Sequence, residues 1–213
     1  GSYHGATLLT LTVSAFDIFS KAIGPNPQGI RKVAHPNCYR CEFGLAYPEC
    51  GCECAKDLDR AIREEGPETV AAFVAEPIST ASGVATPPAE YWRMIRKICD
   101  EHGVLLICDE IVTGAGRTGK FLCMEHYGVW PDIATMAKGI SSGYSPLGAV
   151  LTHKSITKNM PDNAFLIPGY TFTGHPVSCA AAIANLDILC ADGFLEASAA
   201  TGDYLAASVR KAL

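Results

Sequence analysis

Little in this sequence could recognise a polyanion, and nothing in it could cross a bilayer as one helix. Charged residues make up 18% of the 213 positions and sum to −5 at pH 7, which gives no reason to expect nucleic acid or an anionic membrane as partner. No apolar run reaches the ~18 residues of a membrane span. The first residues lack the basic start and apolar core of a signal peptide, so a cytoplasmic location is the expectation. Without a secretory signal, and in a chain long enough to bury a core, the ten cysteines read as reduced thiols rather than a disulfide framework.

What is present is a chain with 48% apolar residues, enough to fill one large α/β domain or two small ones. Val104-Leu105-Leu106-Ile107-Cys108 is a continuous apolar run of the kind buried in a parallel sheet, and it ends on Asp109 and Glu110. Val70 to Ala75 is a second such run, ending on Glu76-Pro77. Between them Thr86-Pro87-Pro88 favours a helix start and Gly103 a stop, so a helix to His102 is expected. Strand, helix, strand in this order predicts a right-handed crossover and a parallel sheet. In open α/β sheets, ligands bind outside the carboxyl ends of the strands.

A third apolar segment, Ile133 to Ala137, ends on Lys138 and Gly139. An amine at a strand end among apolar neighbours loses hydration, which favours the neutral, nucleophilic form. The bland alternative is a lysine that snorkels to solvent. Gly139 and the run Ser141-Ser142-Gly143-Tyr144 support the first reading, because glycines let a bulky ligand approach the backbone. Pro146 to Thr152 reads as a further strand.

The other segments are plainer. Ala6 to Phe16 is helix-compatible, Asp57 to Glu65 reads as an amphipathic helix ended by Gly66-Pro67, and Lys154 to Asn163 is polar. Gly169 to Pro176 is a turn ahead of an apolar helix, Val177 to Cys190, whose free N–H groups favour anions. Gly193 to Leu213 reads as a last helix. Lys21 to Tyr47, broken by Pro25, Pro27 and Pro36, reads as a long surface loop. Cys38, Cys41, Cys50, Cys52 and Cys54 follow one another with spacing C-x2-C-x8-C-x-C-x-C. Four thiolates in one loop can close a tetrahedron around zinc, but a second C-x2-C is missing, so free thiols and no metal are expected. Gly114 to Gly119 fits G-x-G-x-x-G, and with Lys120 most of a P-loop. Phe121 cannot supply the hydroxyl that Mg²⁺ needs, and Asp109 and Glu110 would bring negative charge toward a pyrophosphate, so neither phosphate-binding reading is adopted.

The segments LLICDEIVTGAGRTGKF, GVWPDIATMAKGISSGYSPLGAV and GYTFTGHPVSCAAAIANLDIL resemble the class III pyridoxal-phosphate aminotransferases, the omega-amino-acid group of fold type I. Nearly the whole chain takes part, with the three motifs in the family's order. An acid and a lysine on neighbouring strand ends suit that cofactor, since the carboxylate keeps the ring nitrogen protonated and the lysine forms the Schiff base. The resemblance implies an α/β fold with a mostly parallel sheet and helices on both faces. Residues 1–213 are then part of the cofactor-binding large domain, and the family's amino-terminal segment and carboxy-terminal small domain lie outside the sequence.

By the same resemblance, Lys138 is catalytic and binds the cofactor. Asp109 holds the ring nitrogen, and Tyr3 lies against the ring with His4 beside it. Ile111, two residues beyond Asp109 on an alternating strand, packs behind the ring. Glu76 sits near the phenolic oxygen, and Thr171 contacts the phosphate of the other subunit in a homodimer. Arg117 is expected to pair with a carboxylate. Taken from the residues alone, Tyr3 is a packed or exposed tyrosine and Glu76 a solvated strand-end acid. The implied reaction moves an amino group from an amine or omega-amino acid to a 2-oxo acid such as pyruvate. Decarboxylation or amino-group migration by the same lysine and acid is one alternative, and a catalytically inert interaction domain is another.

Overall fold

The computed structural model describes residues 1–15, 21, 27–161, 169–191 and 193–213. The expectations for Phe16, for Pro25 and for the end of the polar segment at Asn163 lie outside the described residues. The chain has the expected α/β architecture and divides into two compact units, one of Gly1–Asp109 with Tyr127–Pro131 and one of Glu110–His126 with Asp132–Leu213.

In the first unit, β1 (Ala72–Ala75) pairs in parallel with β2 (Leu105–Asp109), Ala72 opposite Leu105 and Ala75 opposite Cys108. The short helix α1 (Leu8–Val13) starts on a capping box in which the side chains of Thr7 and Thr10 satisfy each other's backbone N–H groups. Helix α2 (Glu53–Glu65) begins four residues before the expected Asp57. Cys52 takes a left-handed conformation that turns the chain into it, and Glu53 in its first turn binds Arg60 at 2.5 Å and Lys56 at 3.2 Å. Ala55, Leu58, Ala61 and Ile62 are its buried positions, one stripe at helical spacing.

Helix α3 (Ala89–His102) connects β1 to β2, starting after Pro88 and ending at Gly103, whose φ of +68° is the conformation glycine adopts without cost. It buries Tyr91, Trp92, Ile95 and Cys99 against the sheet and α2, each large side chain contributing about 1.5–3 kcal/mol of hydrophobic stabilisation. The buried Trp92 Nε1 donates to the Pro77 carbonyl at 3.1 Å and so fixes the chain just beyond β1. His102 Nε2 meets Asp59 Oδ1 of α2 at 2.7 Å. β1 is half-buried rather than buried, because its residues also line an open cleft of about 210 Å³.

In the second unit, β3 (Ile133–Met136) pairs with β4 (Ala149–Thr152), and this pair is antiparallel, Ile133 opposite Thr152. The connection between them holds one 3-10 turn and no crossover helix, and without a crossover the returning strand runs antiparallel. Next come α4 (Lys154–Lys158), α5 (Pro176–Ala191) and α6 (Phe194–Ala212). The core of this unit gathers Ala115, Leu122, Met136 and Ile140, with Leu186 and Leu189 of α5 packed on it.

The glycines of the G-x-G-x-x-G stretch serve this packing. A Cβ on Gly116 would lie 2.7 Å from the Leu195 side chain, and one on Gly119 would lie 2.7 Å from Ala199 Cβ, both on α6. These glycines let the loop touch a helix.

Candidate active site

The acid predicted from the sequence lies in the first unit. β2 delivers Asp109 at its carboxyl end, where the carboxylate is buried and meets His4 Nδ1 at 2.8 Å, both side chains less than a tenth exposed. A charged group so enclosed needs a hydrogen-bonding partner, and the ring of His4 is that partner. Its Nε2 is buried without a partner among the described residues, so the tautomer that donates from Nδ1 to Asp109 leaves a bare lone pair at Nε2.

The segment carrying His4 is pinned at three places. His4 N donates to Ser14 Oγ at 2.8 Å, and Ser14 Oγ donates in turn to Thr10 O at 2.8 Å. Lys32 Nζ donates to the carbonyls of Thr12, Val13 and Ser14 at the end of α1, which caps the negative end of the helix. On the other side, Tyr3 N donates to Glu76 Oε1 at 2.9 Å. Glu76 Oε2 accepts from Thr80 N at 3.1 Å and Thr80 Oγ1 at 3.2 Å. Glu76 is therefore buried and hydrogen-bonded, not the solvated acid of the bland reading, and its carboxylate holds Tyr3 by the backbone. The Tyr3 side chain is 41% exposed.

Glu110 differs from its neighbour. Its side chain is 1% exposed and accepts from Thr113 Oγ1 at 2.5 Å and Met124 N at 3.0 Å, while its own N–H donates to Thr135 O at 2.9 Å. It organises the loop that follows β2. Ile111 is half-buried within that loop. β2 stops at Asp109, so the strand alternation used to place Ile111 does not reach it, and its position comes from the turn that Glu110 holds.

The lysine predicted from the sequence lies in the second unit. Lys138 opens the 3-10 turn Lys138–Ile140 one residue beyond β3, after Ala137, and adopts φ +47°, a left-handed conformation costly for any residue with a Cβ. Its neighbours enforce it. Ile140 is buried, Asn185 Nδ2 of α5 donates to Gly139 O at 3.0 Å and Ile140 O at 3.1 Å, and a Cβ on Gly139 would lie 3.0 Å from Ala115 Cβ.

The Lys138 side chain is exposed, so the described residues do not supply the apolar enclosure expected of it. It lines an open cleft of about 580 Å³ with Ser141, Gly143, Ser145, Pro146, Leu147 and Gly148, within the usual size range of small-molecule sites. Ser141 Oγ donates to Ser145 O at 2.6 Å, and Ser145 Oγ meets Ser178 Oγ of α5 at 2.8 Å, which fixes the cleft wall. Thr171 is exposed in the turn ahead of α5. Arg117 is exposed and makes no ion pair among the described residues, contrary to expectation; its carbonyl accepts from Ser198 Oγ at 3.5 Å.

Ser14, Lys32, Thr80 and Asn185 were missed by sequence reasoning. Only Asn185 carries a signal, a lone amide in the mostly apolar stretch Ala180 to Leu189, whose other polar residue is Asp187.

Comparison with known proteins gives the family of the chain. The family model of class-III aminotransferases matches residues 1–213. Putrescine–pyruvate aminotransferase of Pseudomonas aeruginosa is 37% identical over 205 residues, 95% of this chain and 45% of the relative. Taurine–pyruvate aminotransferase of Bilophila wadsworthia is 37% identical over 210 residues, again 95% of this chain and 45% of the relative. The chain thus spans about half the length of the curated relatives it matches. Among solved structures, a thermostable (S)-enantioselective omega-transaminase from Thermomicrobium roseum superposes with a TM-score of 0.88 at 43% identity, covering 96% of this chain and 45% of the other. An amine transaminase from an uncultivated Pseudomonas species, in its PLP-bound form, gives 0.84 at 39% identity, covering 88% and 44%. The chain belongs to the class-III aminotransferases.

Proposed function

We propose that residues 1–213 are part of the cofactor-bearing large domain of a pyridoxal-phosphate aminotransferase. The enzyme would move an amino group from an amine or omega-amino acid to a 2-oxo acid such as pyruvate. The observation that carries this reading is a buried strand-end carboxylate, Asp109 on His4 at 2.8 Å, in a chain whose lysine just beyond β3 is held in a strained turn lining a cleft of about 580 Å³. Taken singly, a carboxylate such as Asp109 suits a protonated pyridine nitrogen and an amine such as Lys138 suits an aldehyde. The names of the relatives, which pair amines with pyruvate, support the reaction class.

When bound, the cofactor supplies an electron sink that stabilises negative charge at the amine-bearing carbon of the substrate. Asp109 would accept a hydrogen bond from the protonated ring nitrogen, and His4 keeps that carboxylate oriented. Lys138 would hold the cofactor and then carry the proton to and from the reacting carbon, a task suited to an amine on a fixed backbone. Tyr3 would cover one face of the ring and Ile111 the other, with Glu76 fixing the backbone of Tyr3.

Thr171 would serve the phosphate of a second subunit. Val177, Ile183 and Ile188 of α5 are 64%, 60% and 54% exposed, apolar surface of the kind that association covers, and this supports a homodimer. No single helix among the described residues is long and apolar enough to cross a membrane.

The test uses the full-length protein with pyridoxal phosphate, an omega-amino acid and pyruvate, following alanine formation. Alanine should form, and Asp109→Ala should slow it by orders of magnitude, since one pKa unit at the ring nitrogen corresponds to about 1.4 kcal/mol. Release of carbon dioxide without alanine would favour decarboxylation. An unshifted absorption band on adding the amine would favour an inert domain.

A further inference from the structure

Five cysteines, Cys38, Cys41, Cys50, Cys52 and Cys54, line one cleft at the start of α2, and the proposed reaction uses none of them. Among the described residues, no set of three His, Cys, Asp or Glu side chains is placed to hold a metal ion. The cluster offers chemistry between two sulfurs.

The backbone selects the pair. Cys38 opens the 3-10 helix Cys38–Arg40, and Cys41 is the residue that ends it. A 3-10 helix completes a turn in three residues and rises about 2.0 Å per residue, so positions i and i+3 share one side about 6 Å apart. That lies inside the Cα separation of roughly 4.4–6.8 Å that a disulfide spans. Asn37 holds the turn, its Oδ1 accepting from Tyr39 N and Arg40 N, each at 3.1 Å. Cys38 is exposed and Cys41 half-buried, so a reagent reaches Cys38 first and Cys41 stands next to the product.

We propose that Cys38 and Cys41 form a reversible dithiol–disulfide site that exchanges with small-molecule disulfides such as oxidised glutathione. The Cys38 thiolate attacks one glutathione sulfur, breaking the glutathione S–S bond and releasing a glutathione thiolate. Cys41 then attacks the Cys38 sulfur, forming the Cys38–Cys41 bond and releasing the second glutathione. Two protein thiols are oxidised, one glutathione disulfide is reduced to two thiols, and the two protons end on glutathione. Two of the other thiols, Cys52 and Cys54, compete poorly. Burial pushes Cys54 up to about 12, and burial, then the Glu90 carboxylate, raises Cys52. Burial, and after it the Cys50 and Cys41 thiolates, also raises Cys38, so exchange is best followed at mildly alkaline pH.

The experiment equilibrates reduced full-length protein with a graded glutathione/glutathione-disulfide buffer, alkylates the remaining thiols and maps the peptides. Trypsin frees Cys38 between Lys32 and Arg40, and cleavage after Glu42 separates Cys41 from Cys50 onward. The expected product is the Cys38 peptide linked to Cys41-Glu42. It should revert with dithiothreitol, persist in Cys50→Ser, and be replaced in Cys41→Ser by Cys38 carrying glutathione. Linkage of Cys38 to Cys50, Cys52 or Cys54 would overturn the assignment. So would glutathione on Cys38 alone in the parent, failure of Cys38 to react, or one equivalent of zinc retained through dialysis with the thiols protected.

Discussion

Replacing Lys138 by glycine and, separately, by alanine isolates the backbone at this position from its amine. The residue has φ +47° and an exposed side chain, so truncation to alanine removes no buried contact. An L residue in the left-handed region costs about 1–2 kcal/mol, which alanine retains and glycine escapes. Against this, the extra freedom of glycine in the unfolded chain costs about 0.5–1 kcal/mol. The difference leaves the glycine variant more stable than the alanine variant by roughly 0.5–1 kcal/mol. At an ordinary helical position the sign reverses, glycine lying about 1 kcal/mol behind alanine.

Urea unfolding of the cofactor-stripped full-length protein is the suitable assay. Both variants lack the amine, and neither then gains stability from bound ligand. With a slope near ~3 kcal/mol per molar urea, the glycine midpoint should lie about 0.2–0.3 M above that of alanine. An alanine midpoint equal to or above that of glycine would refute the argument that strain is stored at the lysine.

Other perturbations test the surrounding frame. Lys32→Met removes the ammonium from the carbonyls of Thr12, Val13 and Ser14; amide exchange at His4 and in α1 should quicken severalfold, and unchanged exchange there would show that Lys32 caps nothing of consequence. Gly119→Ala places a Cβ 2.7 Å from Ala199 Cβ at φ +83°, and a loss of about 2 kcal/mol or more is expected in urea, by overpacking and backbone strain together. Arg63, and after it His102, holds the Asp59 carboxyl below its ordinary value. A depressed acid contributes stability above its unfolded pKa, near ~4, and that contribution is lost as pH falls through the folded value. The pair is largely solvent-screened, so Asp59→Asn should cost under about 1 kcal/mol at pH 6 and converge on the parent toward pH 3.

Local rules carried the reading of the sequence as far as they apply. Asp109 was legible because an apolar run ending in an acid marks the carboxyl end of a buried strand. The limits of α3 were legible because Pro88 and Gly103 act on their own backbone. Glu110 and Ile111 were not, because their places depend on a turn closed by Thr113 and Met124 beyond the strand. The early start of α2 rests on the left-handed Cys52, a conformation no cysteine signals in sequence. The antiparallel β4 follows from what its connection lacks. The His4–Asp109 contact joins residues 105 positions apart, and local periodicity carries no information on such a pair. The clamp of Asn185 on the lysine turn is of the same kind.

The most direct test of the cofactor assignment is borohydride reduction of the full-length holoenzyme followed by peptide mapping. The reduced cofactor should be found as a stable adduct on Lys138, on a peptide that trypsin leaves uncut at that residue. Adduct on Lys120 or Lys154, the neighbouring lysines in the sequence, would contradict the assignment of the lysine and with it the proposed reaction.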